Sequence, residues 1–324
     1  MGASGIAVIG LGLMGSQLAS RLLSAGFEVH GFDPSPRASA DFENGGGIPA
    51  SSPAEAVSGC WGALLSLPDS DVSRKVCLGP RGLAEAGVSS LYIYDTTTGR
   101  PQDATSLAEA LDRHGLTYCD STLSGNSESA RRGDLVVMVG GSPQAYRTGL
   151  PIFESIGRSH HHVGGPGSGS VMKLIVNHIL MIHRLALGEA LAVAELSELD
   201  LSATLNVLRD SLAYSKAMDS WGDRMVDGDH GDPSSRIRQS HKDSLLIVDH
   251  ALELGASVDL VEVVQTALEE AKATGLGELD NSAMIEVVRR RAGIGRVNTD
   301  DSLLDSPAPP DNESDTVPTE EITD

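Results

Sequence analysis

The sequence predicts an α/β chain: a doubly wound parallel sheet in the first half, then an all-helical remainder. Three observations carry that prediction. Short apolar runs alternate with helix-like segments through the first half, the pattern of successive βαβ units. The first of these runs, Ile6-Ala7-Val8-Ile9, feeds straight into Gly10-Leu11-Gly12-Leu13-Met14-Gly15. Beyond the glycine-rich stretch 164–170, every recognisable segment has helical periodicity, with no strand signal and no internal repeat.

The opening run and its glycines predict a buried strand, a tight turn and a helix from about Leu13 to Ala25. Gly10 makes the turn, Gly12 lets a pyrophosphate approach the backbone, and Gly15 lets helix and strand pack closely. The helix N-terminus then presents free N–H groups to the phosphates, so Leu13 and Met14 sit against them. A second run, 27–32, ends in Asp33, near the spacing of about 20 residues at which a ribose-binding carboxylate is expected. A carboxylate there accepts from both ribose hydroxyls of NAD and repels a 2′-phosphate. Arg37, four residues on, would instead accommodate that phosphate. The reading is a Rossmann domain that binds NAD, with NADP as the alternative. Strands are expected at 6–9, 28–32, 63–67, 91–94, 116–119 and 135–139, with helices between them, among them 101–114 and 143–155. Ligand-binding residues of such a sheet lie on loops after strand C-termini. Here those loops are Leu67-Pro68-Asp69, Asp95-Thr96-Thr97-Thr98 and 120–126.

The predicted organisation is a cofactor domain (1–163), a glycine loop and long helix (164–199), a helical domain (200–294) and a tail (295–324). The long helix would run about 45 Å. It is apolar nearly all round, including Leu174, Ile175, Val176, Ile179, Leu180, Met181 and Ile182. It is therefore expected to be buried on most sides, as a spine between the domains. Helices follow at 203–209, 237–254, 261–274 and 282–291. In the tail, 299–324 holds nine acids, several prolines and no Lys or Arg, so disorder is expected there.

The net charge of −21 without a basic run argues against partners such as nucleic acid or anionic lipid. Removing the tail's nine acids leaves about −12, ordinary for a folded chain of this size. Cys60, Cys77 and Cys119 stand singly, without metal or disulfide spacing, and are expected as buried free thiols. The first strand begins too early for a signal peptide, Ile6 stands where N-myristoylation wants Ser or Thr, and no run is long enough to span a bilayer. A cytoplasmic protein is the expectation. No metal is predicted: His160-His161-His162 would alternate across a strand. The acidic loop 227–232 lacks the Glu of a calcium loop, since Arg238 occupies its twelfth position.

Lysine is rare, with five against nineteen arginines. Lys173 falls one turn into the long helix, and Asn177, four residues later, shares its face. An ammonium and an amide on a rigid element at a domain junction can together grip a hydroxyl or carbonyl oxygen. Burial lowers a lysine's pKa and lets it exchange a proton with an alcohol. The same pattern also fits a lysine snorkelling from a helix end.

At this point the chain resembles the β-hydroxyacid dehydrogenase family, the group of 3-hydroxyisobutyrate dehydrogenases and tartronate semialdehyde reductases. The likeness runs from about Gly5 to Arg290 and rests on four motifs in order. They are the glycine fingerprint 10–15; Asp120-Ser121-Thr122-Leu123-Ser124-Gly125 with Gly133-Asp134-Leu135 and Met138-Val139-Gly140-Gly141; Gly167-Ser168-Gly169 with Lys173-Leu174 and Asn177; and Lys242-Asp243. The resemblance implies Lys173 as the catalytic lysine and Asn177 as its amide partner. It implies that Ser124 and Gly125 hold the substrate carboxylate, that Lys242 closes the site between substrate and nicotinamide, that Thr98 lies near the nicotinamide ribose, and that Leu67 and Pro68 line the cofactor groove. Asp243 is expected to orient its surroundings. A homodimer or homotetramer is implied as well.

The expected activity is NAD(P)-dependent interconversion of a small 3-hydroxy acid with its semialdehyde or keto acid. Two departures bear on the substrate. Asn126-Ser127-Glu128 follows Ser124-Gly125 where the family commonly has glycine, which suggests a polar substrate and adds Asn126 to the substrate-binding set. Arg236 and Arg238 stand where an aromatic residue is common, and either meet a second anionic group or point to solvent. The rival readings are a cyclic-imine reductase, against which Lys173 counts, and a non-catalytic cofactor-sensing protein.

Overall fold

The computed structural model describes residues 5–295. Apart from its first residue, the predicted acidic tail lies outside them.

Eight strands form one sheet: β1 Gly5–Ile9, β2 Glu28–Phe32, β3 Ile48–Pro49, β4 Cys60–Leu65, β5 Tyr92–Asp95, β6 Thr117–Ser124, β7 Leu135–Gly140 and β8 Gly157–Gly164. Their order is β3-β2-β1-β4-β5-β6-β7-β8. All neighbours are parallel except β6 and β7, which pair antiparallel from Asp120↔Gly140 to Ser124↔Val136. Seven helices are threaded between the strands: α1 Gly15–Ser24, α2 Pro36–Asn44, α3 Pro53–Ala56, α4 Ser70–Leu78, α5 Pro101–Asp112, α6 Ser127–Arg132 and α7 Pro143–Ile156. The remainder is helical: α8 Ser168–Leu196, α9 Leu201–Asp210, α10 Asp223–Asp227, α11 Ile237–Glu253, α12 Asp259–Ala273 and α13 Met284–Arg291.

The strands β1, β4 and β7 read as apolar runs because the sheet is covered on both faces. Along β1, Ile6 and Val8 enter the core shared with Leu18 and Leu22 of α1 and Ile152 and Phe153 of α7. Ala7 and Ile9 enter the opposite core, with Leu107 and Leu111 of α5. The sheet is thus doubly wound, as expected. Strand order reverses between β1 and β4, and the C-terminal ends of β1, β4, β5 and β6 share one edge. This is where a doubly wound sheet binds its ligand.

Three expectations need correction. The sheet is not wholly parallel, since β7 returns antiparallel to β6. β8, which holds the three histidines, carries no apolar run, because it is an edge strand of half-exposed and exposed residues. Its His160 ring hydrogen-bonds the Tyr146 hydroxyl (2.7 Å), and His162 Nε2 donates to the Gly141 carbonyl (2.8 Å). The long helix is not buried on most sides either. One flank of α8 packs on α11, α12 and α13. On the other, Ile175 and Ile179 are about half exposed and Val193 more so. The helix spans 29 residues, about 43 Å. It is fixed to the sheet at its start: the Asp120 carboxylate at the middle of β6 accepts from the Gly167 N–H (2.8 Å) and the Ser170 N–H (2.7 Å).

Candidate functional site

The glycine turn after β1 has a distinct geometric requirement at each glycine. Gly10 has φ +90°, and a Cβ there would strike the Ser66 carbonyl. At Gly15 a Cβ would collide with the Gly10 carbonyl. At Gly12 nothing in the protein lies within 4 Å of where a Cβ would sit, so the backbone is open to a ligand. Serine, Asp or Asn side chains cap α2, α3, α4, α6 and α7, whereas Met14, just before α1, offers no capping side chain and the first turn of α1 holds no acid. Its N-terminal N–H groups are left for an anion. These features fit a dinucleotide's pyrophosphate. Asp33, at the end of β2, accepts from the Leu11 N–H (2.7 Å) and the Ser35 N–H (2.8 Å). Each carboxylate oxygen keeps a lone pair for a ribose hydroxyl. Gly12, Leu13 and Arg37 line an open cleft of about 500 Å³ beside this turn. The Arg37 side chain is 93% exposed there, 3.8 Å from Asp41.

A second cavity, about 340 Å³, lies between the sheet edge and the helical part. Met14, Leu67, Thr98, Ser124, Gly125, Asn126, Lys173 and Asn177 all line it. Sequence segments up to 163 residues apart therefore meet in one place, as the motifs require. Lys173 Nζ donates to the Leu123 carbonyl (2.7 Å). That carbonyl holds the Lys173 head group at the C-terminal end of β6, next to Ser124. Asn177 Nδ2 donates to Asp243 Oδ2 (3.0 Å). Asp243 also lies 3.5 Å from Lys242 Nζ and accepts from Gln239. Burial pushes the Lys173 amine below the usual lysine range, with Lys242 adding to the effect and Asp243 opposing it. Burial likewise pushes Asp243 up, against the pull of Lys242 and Lys173.

The remaining predicted residues lie beside the cavity. Lys242 Nζ donates to the carbonyls of Pro68 (3.1 Å) and Thr98 (2.7 Å). It thus ties α11 across the cleft to the loops after β4 and β5. Gly125, at φ +137°, has no room for a side chain against Leu135 and Ser129.

The polar departure at 126–128 has a structural use. Asn126 Oδ1 caps α6 by accepting from the Ser129 N–H (2.9 Å), and its Nδ2 donates to Ser234 Oγ (3.2 Å). Ser127 reaches the Ser234 carbonyl, and Glu128 pairs with Arg131 and Arg132. Arg236 and Arg238 both pair with Glu278 and do not line the cavity. Further polarity comes from residues that sequence reasoning missed: Arg158, Arg184, Lys216, Ser234, Ser235 and Gln239. Arg184 was hidden by its setting in an apolar helix, although it repeats the Lys173 face three turns on. Arg158 and Lys216 carried no motif.

The profile for the NAD binding domain of 6-phosphogluconate dehydrogenase matches residues 5–165. That for the NAD-binding region of NADP-dependent 3-hydroxyisobutyrate dehydrogenase matches 167–288. The chain is 30% identical over 290 residues to a 3-sulfolactaldehyde reductase of Escherichia coli, covering 89% of this chain and 97% of the relative. It is 29% identical to an L-threonate dehydrogenase of Cupriavidus necator, covering 87% and 95%. A crystal structure of 3-hydroxyisobutyrate dehydrogenase from Salmonella typhimurium superposes with TM-score 0.80 at 26% identity, covering 87% of this chain and 99% of that one. With the fold, the glycine turn and the cavity in agreement, the chain belongs to the β-hydroxyacid dehydrogenase family of NAD(P)-dependent oxidoreductases.

Proposed function

We propose that this protein interconverts a small polar 3-hydroxy acid and its semialdehyde or keto acid, with Lys173 as general acid and base. One observation carries the reading: Lys173, Asn177, Ser124 and Gly125 meet in a single cavity whose other wall is formed by the dinucleotide-binding loops. Bound nicotinamide supplies the hydride-transfer chemistry. In oxidation, the neutral Lys173 amine takes the hydroxyl proton; in reduction, its ammonium returns one to the forming alkoxide. Asn177, oriented by Asp243, donates to the same oxygen. The Ser124 hydroxyl and the Gly125 N–H hold the carboxylate and so fix the reacting carbon. Lys242 braces α11 against the Pro68 and Thr98 loops and keeps the cleft's two walls in register. Asn126 lines the substrate side while capping α6. Leu67, Pro68 and Thr98 flank the nicotinamide half, and Gly10, Gly12, Leu13, Met14 and Gly15 the pyrophosphate.

Asp33 supports NAD over NADP, because a second negative charge would be brought against its carboxylate. The profile boundaries near 165 support a cofactor domain up to 163, with α8 from the 164–199 segment joining it to a helical domain up to 294. Three buried free thiols accord with a reducing, cytoplasmic setting. Among the described residues no helix is long and apolar enough to cross a membrane. The exposed apolar stripe of α8 supports a homodimer, or a tetramer built from one.

The test is absorbance at the reduced-nicotinamide band with NAD and NADP across a panel of 3-hydroxy acids from 3-hydroxyisobutyrate to glycerate and threonate. Turnover that collapses in Lys173→Ala is the expected result. Equal turnover in the variant would remove Lys173 from the reaction.

A further inference from the structure

The cavity contains four cations, and three of them have protein partners. Lys173 has the Leu123 carbonyl. Arg158 Nε lies 3.1 Å, and Lys216 Nζ 3.7 Å, from the Asp134 carboxylate. Arg184 differs. It is 3% exposed, yet among the described residues it makes no hydrogen bond and no ion pair within 4.0 Å, and its Nη2 is buried without a partner. The two carboxylates whose charge reaches it are engaged elsewhere: Asp280 by Arg224 (3.2 Å) and the Ser234 N–H and hydroxyl (3.0 Å each), Asp243 by Asn177 and Lys242. The Trp221 ring lies 5.2 Å from the guanidinium carbon and holds the side chain in place by a cation–π contact. Among the described residues, Trp221 Nε1 and Asn281 Oδ1 of the same cavity are also buried without hydrogen-bond partners. A buried charge left unpaired is costly, and the cost is met when a ligand supplies the counter-charge.

The position defines the ligand. Arg184 is eleven residues after Lys173, on the same face and about 16 Å further along the helix axis. Its side chain leans back towards the helix N-terminus, as that of Lys173 does, so the span to the reacting oxygen is set by the shorter Asn177, seven residues or about 10 Å away. Between Asn177 and Arg184 the cavity wall is Leu180 and Met181, both apolar. We infer that Arg184, with Trp221 behind it, binds a second anionic group at the end of a short aliphatic spacer, so the substrate is a dianionic 3-hydroxy acid. This rests on the dehydrogenase reading above. A carboxylate or a sulfonate offers the same oxyanion chemistry to the guanidinium, and Trp221 Nε1 can donate to either.

Three acids share one reacting unit and differ only at the far end: 2-(hydroxymethyl)glutarate, its sulfonate counterpart 2-(hydroxymethyl)-4-sulfobutanoate, and the neutral-tailed 2-(hydroxymethyl)pentanoate. The wild-type enzyme is expected to prefer the dianions, and the better of the two identifies the headgroup. In Arg184→Met the ratio of kcat/KM for dianion over neutral tail falls on the order of 30-fold or more. An unchanged ratio in a folded variant overturns the site while leaving the dehydrogenase standing. If Arg184→Met does not fold, Arg184→Lys serves. It keeps the charge and loses the planar fork, and the ratio still falls. Binding is read separately, as thermal protection by unreactive glutarate against pentanoate. Arg184-dependent protection by glutarate without turnover of any hydroxy acid would keep the anion site and remove the dehydrogenase reading. Neither turnover nor protection would remove both.

Discussion

In the proposed reaction Lys173 exchanges the proton, and its environment predicts a pH signature. Desolvation holds its amine below the ordinary lysine value. Oxidation uses the neutral amine, so kcat/KM for the hydroxy acid rises with pH and levels off below the pH at which a free lysine would titrate. Reduction uses the ammonium and falls through the same range. Asp243 favours the charged form of Lys173, so Asp243→Asn moves both limbs to lower pH, whereas a purely structural role would change amplitude alone. Lys173→Ala lowers kcat by about 10²–10⁴-fold, measured with saturating cofactor. Asp33 tests cofactor choice in the same manner. Asp33→Asn keeps an acceptor for the Leu11 N–H and removes the charge that opposes a 2′-phosphate. The ratio of kcat/KM for NADP over NAD is expected to rise on the order of 10-fold or more. An unchanged ratio would show that Asp33 does not discriminate.

Among the elements, α8 depends most on one side chain. Its first N–H groups are satisfied by Asp120, whose pKa burial raises to about 6 despite hydrogen bonds from Ser170 and Gly167. A raised value means that the native state holds the proton more tightly than the unfolded chain. This group's contribution to stability therefore falls as pH rises from about 4 to about 6 and is level above. Asp120→Asn removes that slope. Because the amide can accept from only one of the two N–H groups, it also costs about 1–3 kcal/mol at neutral pH. Urea denaturation between pH 4 and 8 reads both effects. The elements legible in the sequence are those whose local pattern is also their tertiary role. β1 is apolar throughout because both faces are covered, and the three glycines answer three separate steric demands. β3 is only two residues long, and β8 lies at an edge with His160, His161 and His162 half-exposed or exposed, so neither has an apolar pattern to read. The antiparallel turn of β7 was equally silent, since strand direction leaves no mark on composition. Lys173 and Asn177 were found by motif. Arg184 and Trp221 carry no motif, because what distinguishes them is a cation–π contact between polar groups that find no hydrogen-bond partner among the described residues, which only the packed structure reveals.

At the scale of the molecule, α8 reads as a helix buried all round, yet its own chain buries only one flank. At 100° per residue, Ile175, Ile179, Ile182, Ala186, Ala190 and Val193 fall within a narrow arc, and all but the partly buried Ile182 are exposed. We propose that this stripe, which runs along most of a helix of about 43 Å and has Glu189 only at its margin, is covered by a second copy of the chain. The same helix carries Lys173, Asn177 and Arg184 on its other side, so a second subunit packed on the stripe would stiffen the wall that holds the chemistry. Ile175→Glu with Ile179→Glu places two like charges at the centre of that contact. The expected outcome is a shift from dimer to monomer in sedimentation equilibrium, with helix content retained by circular dichroism. Activity at saturating cofactor should fall along with the dimer and recover in part at high protein concentration. A wild-type protein that sediments as a monomer at micromolar concentration would remove the interface, and the stripe would then need another cover.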